Sequence, residues 1–304
     1  MVLCGGVGAA RFLKGLVAVV DPASVVAIVN VGDDAGFNGL HVSPDLDTVL
    51  YTLAELVDET QGWGRSGDTF RVRAELARLG ADTWFALGDL DLAVHVRRTE
   101  LLRGGGTLAE ATESLRQAFD VGTRILPATN DPQPTSVRTP DGWLAFQEYF
   151  VRRHARDRVL EVRLPRAGAA PGVLEAIRDA ERVVLAPSNP IVSIGPILAV
   201  DGVREALRAT KAALIAVTPI IRGAAVKGPA AEMLAGLGHE VSPVGVARLY
   251  ADFLDALVVD EQDAELAPRI ASLGVRPILA QTLMHDAAAR ASLARAALEL
   301  AGAR

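Results

Sequence analysis

A chain of 304 residues, half of them hydrophobic, is long enough to bury one large core. Its net charge of −6 offers no basic field for nucleic acid or an anionic membrane, and its single cysteine, Cys4, excludes an intramolecular disulfide or a cysteine metal cluster. No apolar run approaches the roughly 20 residues a membrane helix needs, and no basic stretch leads into a long apolar core at the N-terminus, so the cytoplasm is the expected location.

Val2, Leu3 and Cys4 form a short apolar run, with Cys4 expected as buried strand filler. Gly5-Gly6-Val7-Gly8 follows, then an apolar-periodic stretch through Phe12, Leu13, Leu16, Val17 and Val20. This order reads as strand, turn and helix. Val25–Asn30 reads as a second strand, ending at Val31-Gly32-Asp33-Asp34. Thr48–Val57 reads as a helix with Val49, Leu50, Leu53 and Leu56 inward. Helical patterns cover Arg71–Leu79, Asp89–Leu102 and Leu108–Phe119, with Gly104, Gly105 and Gly106 breaking the last two apart. Between Arg124 and Pro165 the signal turns extended and hairpin-like.

From Gly172 a strand–helix rhythm returns. Val173–Ala180, Leu198–Leu207 and Ala230–Leu237 read as helices. Arg182–Ala186, Ala213–Val217, Leu257–Asp260 and Pro277–Ala280 read as strands, and an alanine-rich helix starts at Asp286. Such alternation implies an α/β fold with a mostly parallel sheet covered on both faces. Ligands then bind outside the carboxyl ends of the strands, where Gly5–Gly8, Asn30–Asp34, Leu185–Pro190 and Val217–Ile221 gather.

The glycine turn suits a phosphate, since exposed backbone N–H groups and a helix N-terminus face it, and such turns also serve tight helix–strand packing. It lacks the lysine of a P-loop and the spacing of a dinucleotide fingerprint, and Asn30 ends the second strand where a ribose would need an acid. In Ser43-Pro44-Asp45-Leu46-Asp47-Thr48, Ser43 suits an N-cap, Pro44 the first helical position and Asp45 the positive end of the dipole. Asp47 exceeds what capping needs. With Asp33 and Asp34 it concentrates negative charge that a hard cation would neutralise. Capping and function stay equally open on these residues alone.

Gly88-Asp89-Leu90-Asp91 precedes another helix, and capping is its favoured reading. Prolines at 187 and 190 fix a turn presenting Ser188 and Asn189, whose hydroxyl and amide suit a phosphate or a base edge. Ser193-Ile194-Gly195-Pro196 also looks shaped for an anion, and Arg222 and Lys227 are candidate phosphate partners, though each alone is more often a solvated surface cation. Trp63, Trp84, Phe85, Trp143, Phe146, Tyr149 and Phe150 offer both core and walls for a flat heterocycle. The five histidines show no ligand spacing, and only His41 stands near the carboxylates.

As a set, these segments resemble the 2-phospho-L-lactate transferase family of coenzyme F-420 biosynthesis, whose bacterial members are called phosphoenolpyruvate transferases. The resemblance runs through Leu3–Leu13, Val29–Asp34, Ser43–Leu53, Leu87–Asp91, Ile125–Ala128 and Leu185–Leu198, in the family's order and over nearly the whole chain. It implies one Rossmann-like, doubly wound domain over residues 1–304, with an inserted, largely helical region and a β-hairpin segment at about 48–165. It also implies a magnesium-dependent enzyme. The deazaflavin Fo would attack, through its ribityl hydroxyl, a guanosine diphosphate-linked three-carbon acid, and GMP would leave.

On that basis Asp33, Asp45 and Asp47 are expected to hold Mg²⁺, with Asp47 and Asp45 catalytic and Asp47 also accepting from the ribityl hydroxyl. Gly5, Gly6, Gly8, Asn30, Ser188 and Asn189 would cradle the donor. Ala86 stands where archaeal members often carry a basic residue, which leaves the three-carbon acid open. The partners expected are these small molecules and a second copy in a homodimer. Two alternatives stand beside this reading. One is a sugar-nucleotide-binding regulator of the related gluconeogenesis-factor branch; the other, an NAD-dependent oxidoreductase, rests on fold analogy alone.

Overall fold

Seven short strands form one parallel sheet in the computed structural model, which describes residues 1–299. In chain order they are Val2–Cys4, Val26–Val29, Arg124–Pro127, Arg182–Leu185, Ala213–Val217, Ala256–Asp260 and Arg276–Ala280. Across the sheet the order runs third, second, first, fourth, fifth, sixth, seventh. The strand order reverses between the first and fourth strands, where Leu3 pairs with both Ile28 and Leu185. A doubly wound sheet opens its ligand crevice at that reversal.

The strands are mostly aliphatic because helices cover both faces. Successive side chains alternate between faces. Val2 and Cys4 therefore enter one core with Phe12, Leu13 and Leu293, while Leu3 and Ile28 enter the other with Val183 and Leu214. Cys4 is free and fully buried. No described helix is long and apolar enough to cross a membrane.

Several elements depart from the sequence reading. The helix expected from Thr48 starts at Pro44 and ends at Leu53, because proline fits the first turn and Glu55 turns left-handed at φ 60°. The helix expected over Leu198–Leu207 is two, Ile194–Leu198 and Val203–Ala209, separated at Gly202 with φ 83°. The helix Pro243–Tyr250 went unread, although Ser242 caps it by accepting from the Gly245 N–H. A hairpin of Ala35–Phe37 with Leu40–Val42 was also missed. The region 48–165 is not one block. Its strand Arg124–Pro127 forms an edge of the main sheet, and a separate antiparallel sheet of Ser136–Thr139, Gly142–Ala145 and Glu161–Arg163 follows.

Candidate active site

A cleft of about 380 Å³ opens at the reversal point. Gly5, Gly6 and Gly8 line it together with Ser188 and Asn189. The glycines are sterically required: a Cβ on Gly5 would lie 2.5 Å from Asp45 Oδ2, and one on Gly8 would lie 2.5 Å from the Pro187 carbonyl. Gly6 adopts φ 76° as it enters the helix Gly6–Leu16. Ser188 Oγ accepts from the Gly5 N–H at 3.3 Å, joining the two loops. Asn189 spends its side-chain carbonyl on the Ile191 N–H at 2.9 Å.

Asn30 does not line the cleft. It is fully buried beneath the wall, and its Nδ2 donates to Asp33 Oδ1 at 2.8 Å and to Asp45 Oδ2 at 2.9 Å. The expected donor-binding role for Asn30 is thus replaced by a supporting one, because strand burial leaves its amide pointing at the two carboxylates. Gln147 Nε2 adds a longer bond to Asp33 Oδ2 at 3.3 Å. Burial pushes the Asp33 carboxyl well above the ordinary range, and the charges of Asp45 and Asp34 push the same way. Burial raises Asp45 to about 6 against the opposing Asn30 amide and Gly6 N–H, with Asp34 adding to the rise. Two facing carboxylates with no basic side chain between them form an oxygen-only donor set that fits a hard divalent cation.

Ser43 is not the side-chain cap expected. Its hydroxyl donates to Asp34 Oδ2 at 2.7 Å, and His41 Nε2 lies 3.0 Å from the same oxygen. Burial still raises Asp34, although His41 and Ser43 counter it.

Asp47 is separated from Asp33 and Asp45. Residues two apart on a helix point in divergent directions, so Asp47 faces the helix Asp89–Arg103. Arg98 grips it with both terminal nitrogens, Nη1 reaching Oδ2 at 3.0 Å and Nη2 bonding Oδ1. His95 Nδ1 lies 3.6 Å from Asp47 Oδ2, and His95 Nε2 lies 3.3 Å from Asp91 Oδ2. Tyr51 donates to Asp91 Oδ1 at 2.7 Å. Burial alone would raise Asp91, but His95, Tyr51 and Arg98 outweigh it and hold the carboxyl below its ordinary value.

Asp47, Asp91 and His95 offer ligand atoms within 4.8 Å of one another. The Arg98 guanidinium bonds Asp47 and approaches His95 Nδ1 at 3.3 Å, so a cation already serves this group. The expected three-aspartate metal set is therefore divided, with Asp33 and Asp45 on one side and Asp47 on the other.

His95 and Arg98 were missed by the sequence reading. Their signal was present, since Asp91, His95 and Arg98 recur at positions i, i+4 and i+7 on one helical face. The expectation that only His41 stands near carboxylates is corrected by His95. Capping does account for Asp89, though across helices: Asp89 accepts from the Val72 N–H at the start of Arg71–Arg78, and Asp68 accepts from the Leu90 N–H.

Trp63, Trp84, Phe85, Phe146 and Phe150 line the cleft. Phe37 backs Phe85 in a stack with centroids 4.1 Å apart. Tyr149 is instead core, and Trp143 carries Arg163 over its ring at 4.3 Å. Ala86, Lys227 and Ser193 also line the cleft, whereas Arg222 lies outside it, beside Asp263.

The family model for 2-phospho-L-lactate transferase CofD matches residues 1–295. The chain belongs to that family. It is 43% identical over 309 residues to the phosphoenolpyruvate transferase of Kitasatospora aureofaciens, covering 98% of this chain and 96% of the relative. It is 41% identical over 294 residues to the 2-phospho-L-lactate transferase of Methanothermobacter thermautotrophicus, covering 97% and 95%. Among solved structures it is similar to a UPF0052 family protein from Bacillus halodurans, with TM-score 0.68 at 20% identity over 98% of this chain and 97% of that one. This last likeness is one of fold.

Proposed function

We propose that this chain transfers a phospho-lactyl or phospho-enolpyruvyl group from a guanosine diphosphate-linked donor to the ribityl hydroxyl of Fo, releasing GMP. Family membership supports the transferase class. The observation that carries the reading is that one cleft joins an anion-binding glycine turn, two distinct acidic groups and an aromatic wall. Two substrates of opposite character, a diphosphate and a flat heterocycle, then meet in one place.

The donor's diphosphate lies against the first turn of Gly6–Leu16, whose leading N–H groups lack intrahelical partners, with Ser188 beside it. Asp33 and Asp45 would hold Mg²⁺, which when bound neutralises charge on the diphosphate oxygens. Trp84 and Phe85 offer faces to the deazaflavin ring, and the partly exposed Trp63 and Phe150 border it. Asp47, fixed by Arg98, accepts the hydrogen of the ribityl hydroxyl. The hydroxyl oxygen bonds to the phosphorus bearing the acid as the bond from that phosphorus to the GMP oxygen breaks. In-line placement supplies most of the acceleration.

Relatives named for the two acids match at 43% and 41% identity, so similarity does not choose between the acids. Incubating the protein with Fo, Mg²⁺ and each donor, and weighing the product, tests the proposal. A mass gain on Fo with GMP release is expected. Nucleotide binding without turnover would support a regulator instead, and a change in nicotinamide absorbance an oxidoreductase. The expected assembly is a homodimer, which light scattering reads directly.

A further inference from the structure

The cleft carries side chains of both charges. Asp33, Asp45, Asp47 and Asp91 line it, and so do Arg11 and Lys227. Arg11 sits on the helix that opens with the glycine turn, and Lys227 follows the strand Ala213–Val217 by way of the short hairpin Ile220–Ile221 with Ala224–Ala225. Among the described residues neither has an ion-pair partner. Glu59, on which Arg11 acts at longer range, is already bonded to Lys14 at 2.6 Å. Lys227 Nζ donates only to the neutral Gln61 carbonyl, at 2.8 Å.

The two cations converge on one point. A Cβ on Gly62 would lie 3.3 Å from Lys227 Nζ and 3.7 Å from Arg11 Nη2. The same Cβ would strike Val7 Cγ1 at 2.7 Å, so glycine at φ 78° is what lets this loop rest against the glycine turn. Lys227 is exposed at the cleft surface, yet partial desolvation lowers its ammonium from the ordinary value and the neighbouring Arg11 charge lowers it further. Two adjacent cations with no counter-charge are an arrangement that an anion relieves. A planar guanidinium fork beside a point-charge ammonium is the donor pair suited to phosphate or carboxylate oxygens.

We infer that Arg11 and Lys227 form a two-cation clamp for an oxyanion. Assigning that oxyanion to the donor, as the nucleotide phosphate or the carboxylate of the three-carbon acid, rests on the transferase reading; the clamp itself does not. With the acidic groups elsewhere along the same cleft, the clamp orients the donor by its charges.

Calorimetry with inorganic pyrophosphate, GMP, guanosine and phosphoenolpyruvate on the wild type, Arg11→Gln, Lys227→Gln and Arg11→Lys tests this. Arg11 is half-buried and Lys227 exposed, and thermal melts check that each variant folds. Each glutamine variant should bind pyrophosphate about tenfold more weakly or worse, Arg11→Lys should recover part of the loss, and guanosine should be unaffected. Weakened GMP assigns the nucleotide phosphate to the clamp. Weakened phosphoenolpyruvate with GMP unchanged assigns the acid. If the wild type binds pyrophosphate through this pair but no guanine compound, the clamp stands and the guanosine reading falls. Anion affinities within about twofold of wild type in both glutamine variants overturn the clamp. So does an equal loss for uncharged guanosine, or a wild type that binds none of the anions.

Discussion

Arg98 holds Asp47 in a buried, two-bonded ion pair that ties the helix Pro44–Leu53 to the helix Asp89–Arg103. Arg98 is 1% exposed and among the largest fully buried side chains of the protein. A buried pair of this kind adds little net stability, but losing one partner strands the other charge. Arg98→Met should therefore lower stability by about 3–5 kcal/mol. Pairing it with Asp47→Asn should return part of that loss, as measured by denaturant unfolding of both singles and the double variant. Strictly additive effects would mean that the pair is not coupled.

Asp47→Asn strands the buried Arg98 charge and should lower stability by about as much as Arg98→Met. Below its melting temperature the folded variant should lose turnover by about 10²-fold or more, because charge and proton acceptance are removed while shape is kept. Steady-state kinetics with Fo and donor would show it. Near-normal turnover would leave Asp47 only its structural tie to Arg98.

Metal dependence should divide the aspartates. Chelation with EDTA should abolish activity and Mg²⁺ should restore it, since the available donors are hard oxygens. Asp33→Asn and Asp45→Asn should each raise the Mg²⁺ concentration needed, read by titration of activity and of thermal stabilisation. Asp47→Asn should not shift that requirement, because its carboxylate serves Arg98. Activity that survives exhaustive chelation would remove the metal from the proposal.

The raised carboxyl of Asp45 sets a pH dependence. A group that holds its proton more tightly when folded stabilises at low pH, and that contribution disappears as pH rises through the folded value. Asp45, ordinarily near 3.8 and here about 6, should make the metal-free protein lose about 1–3 kcal/mol between roughly pH 4 and pH 6 relative to Asp45→Asn. Added Mg²⁺ should offset the difference above pH 6, where the carboxylate is ionised. Parallel stability–pH curves for the two proteins would exclude this role.

Donor and acceptor binding should separate. Gly8→Ala drives a Cβ against the Pro187 carbonyl, and a bulkier residue at Gly6 strains φ 76°. Either change should weaken GDP or GMP in calorimetry and leave Fo fluorescence titrations nearly unchanged. Trp84→Ala should do the reverse, weakening Fo by about 1–3 kcal/mol as lost ring stacking does. If both ligands weaken together in a folded variant, the two occupy one subsite.

The alternation of aliphatic strands with amphipathic helices was legible in the sequence, because burial on both faces forces continuous apolar strands and the helical period sets the intervening segments. So was the meeting of Gly5–Gly8 with Ser188 and Asn189, since strand ends of a doubly wound sheet converge on one crevice. The spacing of Asp91, His95 and Arg98 was also local and readable, though it named no partner. That Asp45 turns to Asp33 and Asn30 while Asp47, two residues on, turns to Arg98 was decided only by tertiary structure. Helical phase sends the two carboxylates apart, and what each one meets is fixed by a strand end and a helix brought together across long stretches of chain. Charge partners separated in this way leave no periodic trace, because the pairing is set by packing and not by spacing.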